Sequence, residues 1–110
     1  MKRKAFTAVV VAVLLAMAVS TAFAANARKG KRTWKKSCRT TCHDGSKAVE
    51  LSPVSKTQAQ WKRFFDNAHA EIDEAHAGVE VDALKDSDWA DMFEYLHGHA
   101  LDSDQPETCG

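Results

Sequence analysis

The chain has 110 residues, of which 15 are basic and 15 acidic, giving zero formal net charge. That balance leaves no overall basic excess of the kind nucleic-acid binding requires. Once the leader is set aside, residues 25–110 remain, a length at which a hydrophobic core is thin and a metal, disulfides or a cofactor commonly supplements it.

Met1-Lys2-Arg3-Lys4 is a basic start, Ala5 to Val19 is apolar apart from Thr7, and Ala22-Phe23-Ala24 gives the small-x-small pattern of a signal-peptidase site. The apolar run is too short to span a bilayer with margin. It reads as a cleaved export signal over residues 1–24, with one domain over 25–110, no lasting membrane anchor and a periplasmic destination. Three basic residues leave with the signal, so the remaining chain is net acidic, and its charges are segregated. Arg28 to Arg63 holds eleven basic residues against Asp44 and Glu50, whereas Phe64 onward holds thirteen acidic residues against Lys85 alone. Such a split can orient a charged partner on encounter, although two plainly solvated faces would look the same.

Ala25 to Lys36 is polar and basic around Trp34 and is expected to become helical toward Cys38. Asp44 to Lys56, with Gly45, Ser52 and Pro53, reads as a loop. Thr57 and Gln60 form a T-x-x-Q capping box. Trp61, Phe64, Phe65 and Ala68 then fall at i, i+3, i+4 and i+7 on one apolar face, with His69 one position further on. Gly78 closes this stretch, and Val79 to Leu84 turns back toward the core. A last helix is capped by Asp86 or Ser87, carries Trp89, Met92, Phe93 and Leu96 on its buried stripe, and stops near Gly98. The acidic tail from Asp102 wraps the surface. Nothing reads as a strand, so the expected fold class is all-α.

Cys38-Arg-Thr-Thr-Cys42-His43 carries the chemistry. Two thiols can add to the vinyl groups of one haem while the next histidine ligates its iron; the usual spacing is C-x-x-C-H, and here one extra residue intervenes. Residues i and i+4 share a helical face, so both sulfurs can still meet one porphyrin edge. The alternatives are a disulfide of Cys38 or Cys42 with Cys109, or zinc held by Cys38, Cys42 and two histidines. A disulfide leaves one cysteine unpaired, and neither His69/His76 nor His97/His99 has the usual zinc spacing.

In these residues the chain resembles the class I c-type cytochromes. The likeness runs from Gly30-Lys-Arg-Thr-Trp34 through the haem motif, resumes at Leu51-Ser-Pro53 and returns in Trp89 to Leu96 (WADMFEYL). His99 to Pro106 is similar to the closing stretch of small proteobacterial monohaem members. The resemblance implies a small cytochrome c-like helical domain around one covalent haem c, whose first and last helices cross near the haem edge. It also implies that the Pro53 carbonyl receives the Nδ1 proton of His43, fixing that ring. The chain departs from the family at the second axial ligand, because no methionine lies between His43 and Trp89. His69 is the first candidate for the distal position and His76 the second. Met92 fits the buried stripe better than the iron, and His97 and His99 fit helix-end roles. The expected function is electron transfer, not catalysis, with acidic redox partners docking on a basic rim of Lys31, Arg32, Lys35, Lys36 and Arg39. A sixth position left open would instead suit a sensor or carrier of small ligands, and a haemless disulfide or zinc module is the third alternative.

Overall fold

The structure, a computed structural model, describes residues 24–108; residues 1–23, which carry the expected export signal, and Cys109 with Gly110 lie outside the described part. Three helices form: α1 (Ala27–Trp34), α2 (Gln58–Ala75) and α3 (Asp86–Gly98). Between α1 and α2 lie a π-helical turn, Lys35–Arg39, and a short 3₁₀ turn, Pro53–Ser55. Among the described residues there is no strand, so the described part is all-α as the patterning indicates. None of the described helices is long and apolar enough to cross a membrane.

Helix α1 begins where the Asn26 side chain accepts the Lys29 N–H at 3.1 Å. The Asn26 N–H in turn donates to Asp91 Oδ1 at 2.8 Å, tying the start of α1 to the middle of α3. The two helices meet at Gly30. A Cβ on that residue would stand 1.9 Å from the Asp91 carbonyl oxygen, so only glycine lets the backbones approach this closely. Lys29 adds long-range pairs to Asp88 and Asp91, each at 3.9 Å.

That crossing closes one side of the core, made of Trp34, Trp61, Met92, Tyr95, Leu96 and Ala100. Trp34 and Trp61 meet edge-to-face with centroids 6.1 Å apart. Trp61 Nε1 donates to the Pro53 carbonyl at 2.8 Å, so a buried indole N–H is satisfied and the 3₁₀ turn is fixed to α2. Helix α2 starts with the expected capping box, Gln60 Oε1 accepting the Thr57 N–H at 2.9 Å. Helix α3 starts one residue earlier than expected. Lys85 is the cap, and its N–H donates to Asp88 Oδ2 at 3.1 Å, so the acidic side chain caps from the third helical position.

The expected continuous apolar face of α2 does not reach Ala68. The chain leaves helical geometry at Asp66, and Asn67, Ala68 and His69 take left-handed values with φ of 55°, 52° and 52°. Ala68 is exposed as a result. Asn67 is among the residues that accept this conformation most readily. The break also lets His69 stack on Trp89 while Phe65 packs on Trp89 and Phe93.

The C-terminal tail returns over the α1–α3 pair. Leu101 N–H donates to the Lys56 carbonyl at 3.1 Å, and Glu107 N–H to the His99 carbonyl at 3.1 Å. The Glu107 side chain accepts from the Tyr95 hydroxyl at 3.1 Å and pairs with Lys31 at 3.4 Å. Burial and the neighbouring Glu107 carboxylate hold the Tyr95 phenol well above its ordinary pKa. Glu107→Ala would strand the hydroxyl of Tyr95, a residue 2 % exposed. The expected cost is about 2 kcal/mol, read as a fall in Tm of about 10 °C by circular dichroism.

Candidate functional site

A π turn over Lys35–Arg39 leads into the cysteine pair. Thr40 N–H donates to the Lys35 carbonyl at 3.0 Å, and His43 N–H to the Cys38 carbonyl at 2.8 Å, both spanning five residues instead of four. The Thr41 hydroxyl makes the same five-residue reach to the Lys36 carbonyl at 2.7 Å. The cysteines themselves lie four residues apart, the ordinary spacing of one helical turn. Cys38 and Cys42 therefore stand one turn apart, joined by the Cys42 N–H to Cys38 carbonyl bond at 3.1 Å, and both thiols are free and half-buried.

Burial, then the Asp82 carboxylate and Cys42, push the Cys38 thiol up to about 11. In the metal-free and haem-free chain it is therefore a neutral thiol at physiological pH. Its folded-state pKa is raised, so the stability linked to this group is complete below the unfolded value near 9 and declines as pH rises toward 11. Alkylation of the haem-free protein at pH 8 is accordingly expected to modify Cys42 well before Cys38, as read by peptide mass; equal rates would contradict this.

His43 follows directly. Its Nδ1–H donates to the Val49 carbonyl at 2.9 Å, leaving Nε2 as the free lone pair. Here the structure corrects the expectation drawn from the resemblance: the Pro53 carbonyl is taken by Trp61 Nε1, and the loop brings Val49 to His43 instead. The His43 ring stacks beside Trp34, with centroids 6.4 Å apart and planes 15° from parallel. Among the described residues, Trp34 Nε1 is a buried polar atom without a hydrogen-bond partner.

The second histidine at this place is His76, at the C-terminal end of α2. Its ring centroid lies 6.0 Å from that of His43, with planes at 72°. Its Nδ1 is also committed, to the Ile72 carbonyl at 2.6 Å, so again Nε2 is left free. These two imidazoles are the pair that would hold the iron of a bound haem. His69, the first candidate by sequence, stands elsewhere: its ring lies flat on Trp89 at 3.8 Å, and its Nδ1 is 3.2 Å from Asp73. Met92 is 1 % exposed within the core cluster. His97 packs on Phe93, and His99 Nδ1–H donates to the Gln105 carbonyl at 2.7 Å.

No family model matches the chain, and neither a curated protein nor a solved structure does.

Among the described residues, no three histidine, cysteine or acidic side chains converge on a common point that could hold a bare metal ion. Zinc held by Cys38, Cys42 and two histidines needs such a cluster. A porphyrin brings four nitrogens of its own and asks the protein for two axial ligands only. The residues present fit haem in three respects: paired thiols one turn apart, two imidazoles with centroids 6.0 Å apart and their Nδ1 atoms already bonded to carbonyls, and a buried indole N–H without an acceptor.

The sequence motif left Val49 and the Trp34 indole unnoticed as site residues. The basic rim is smaller than its composition suggests, since Lys31 is engaged by Glu107. Arg32, Lys35, Lys36 and Arg39 have no carboxylate partner among the described residues.

Proposed function

We propose that this chain is an exported monohaem c-type cytochrome that carries electrons in the periplasm, with haem c attached through Cys38 and Cys42 and its iron held by His43. The observation that carries the reading is the His43–His76 pair beside the two thiols, each ring locked through Nδ1 to a carbonyl and left with its Nε2 free. His76 takes the distal position in this reading. When bound, haem supplies one-electron exchange between ferric and ferrous iron.

The residues of the chain do the rest. Cys38 and Cys42 would fix the porphyrin edge, and the helical turn joining them sets their spacing. The Val49 and Ile72 carbonyls hold the two imidazoles in one tautomer and orientation, which raises their strength as donors. Two imidazole ligands favour a lower reduction potential than an imidazole and a thioether would. Trp34, buried beside His43, would shield that ligand from water. Arg32, Lys35, Lys36 and Arg39 form a rim next to the attachment turn that suits weak, salt-sensitive docking of an acidic redox partner.

The test of the docking role is charge reversal. Lys35→Glu with Lys36→Glu should slow electron exchange with an acidic partner at low salt by about tenfold or more, and the difference should shrink as ionic strength rises. Rates that ignore both the substitutions and the salt would remove the rim from the account.

A further inference from the structure

We infer that Val79 to Leu84 is a strap whose valines, Val79 and Val81, pack on the haem beside His76, while Val49 covers it beside His43. The inference rests on the haem reading above and deepens it by naming apolar side chains that enclose the porphyrin. Among the described residues, the large hydrophobic side chains left exposed are Val49, Val79, Val81 and Leu101, at 71, 55, 52 and 59 %. A single exposed valine needs no explanation, whereas several gathered at one place mark a contact surface. Three of these four stand beside the two histidines. The Val49 carbonyl accepts from His43 Nδ1 at 2.9 Å, and the Val79 N–H donates to the His76 carbonyl at 2.9 Å. The two rings are 6.0 Å apart, so each member of one imidazole pair carries an exposed valine.

The make-up of the segment suits that role. From Val79 to Lys85 the chain is neither helix nor turn, and in extended chain alternate side chains share an edge. Val79, Val81 and Ala83 alternate with Glu80 and Asp82, which gives one apolar edge and one acidic edge. Both ends are held, Val79 by its bond to His76 and Leu84 by packing against the core. Between them, residues 80–83 are exposed and make no backbone–backbone hydrogen bond among the described residues. Such a stretch has low local stability until something packs on it. The strap leaves the distal histidine and passes near the attachment turn, where the Asp82 carboxylate acts on the Cys38 thiol. A porphyrin tied to Cys38 and Cys42 and held between His43 and His76 is therefore bordered by it. Burying the two valines against that ring offsets the entropy lost when the strap orders, and the acidic edge of Glu80 and Asp82 stays in water.

The experiment is a methyl nuclear magnetic resonance spectrum of the haem-loaded, reduced protein with isotope-labelled valine. Residues 25–110 contain four valines, Val49, Val54, Val79 and Val81, so each resonance is readily identified by its loss in the matching Val→Ala variant. Methyls packed on a porphyrin are displaced upfield by its ring current, and those of Val49, Val79 and Val81 are expected outside the ordinary methyl range. Ordinary positions for any of these three overturn the inference. A second measurement compares haem-loaded wild type with the Val79→Ser/Val81→Ser double variant by hydrogen exchange. The variant is expected to exchange the amides of residues 80–84 at least about tenfold faster, with α1 and α3 unchanged. Equal rates overturn the strap. If the double variant does not accumulate with haem, the wild-type methyl spectrum decides alone. Wild type is first checked for covalent haem, and its absence refutes the underlying function, a result distinct from methyls that are present on a haem protein but undisplaced.

Discussion

Gly30→Ala is expected to destabilise the protein by at least about 3 kcal/mol, although alanine is the better helix former. Propensity alone favours the substitution by about 1 kcal/mol at an interior helical position. The new Cβ, however, would lie 1.9 Å from the Asp91 carbonyl oxygen and 2.8 Å from the Met92 nitrogen, both backbone atoms that no rotamer change can move aside. Relief requires α1 and α3 to separate. Separation loosens the Asn26–Asp91 hydrogen bond and the packing of Trp34 with the α3 residues of the core. For a domain of this size, that loss is a large part of total stability. Urea denaturation followed by tryptophan fluorescence should show a lower midpoint with an unchanged slope. An unchanged midpoint would mean that the helices do not cross as closely as described.

The second large effect concerns attachment. Replacing Cys38 and Cys42 together by alanine is expected to remove all haem from the denatured chain, while either single variant keeps one thioether and part of the signal. The His43–His76 pair survives in the double variant, so its native form should still bind haem, reversibly. Haem staining after denaturation, beside the native spectrum, separates these outcomes. Haem that stays with the denatured double variant would mean that the cysteines are not the attachment points.

Much of this was legible in the sequence because the signals were local. The T-x-x-Q box at Thr57, the Trp61/Phe65 spacing and the Trp89-to-Leu96 stripe each depend on neighbours within two turns, and each element formed where its pattern lay. The C-x-x-x-C-H motif of Cys38, Cys42 and His43 could be picked out for the same reason. What depended on distant contacts was not. Nothing in Asp66-Asn-Ala-His69 announces a left-handed break, because its gain comes from the stacking of His69 on Trp89, twenty residues away. A periodicity carried through that break therefore put His69 on the Trp61 face and left His76 second. The partner of His43 was likewise misassigned to Pro53, since the carbonyl that meets Nδ1 is set by how the loop from Asp44 turns at Gly45, whose φ is 94°. The close approach at Gly30 was carried only by a general likeness to a lead-in motif; its cause, the Asp91 backbone, is sixty residues downstream.

The central claim is that Cys38, Cys42 and His43 bind one haem covalently. It is tested most directly by the intact mass of the denatured wild-type protein, secreted from cells with haem-attachment machinery, read together with its alkaline pyridine spectrum. The account predicts a chain beginning at Ala25 that carries the added mass of one haem and gives a two-thioether spectrum. A colourless protein at the mass of the bare polypeptide would contradict it.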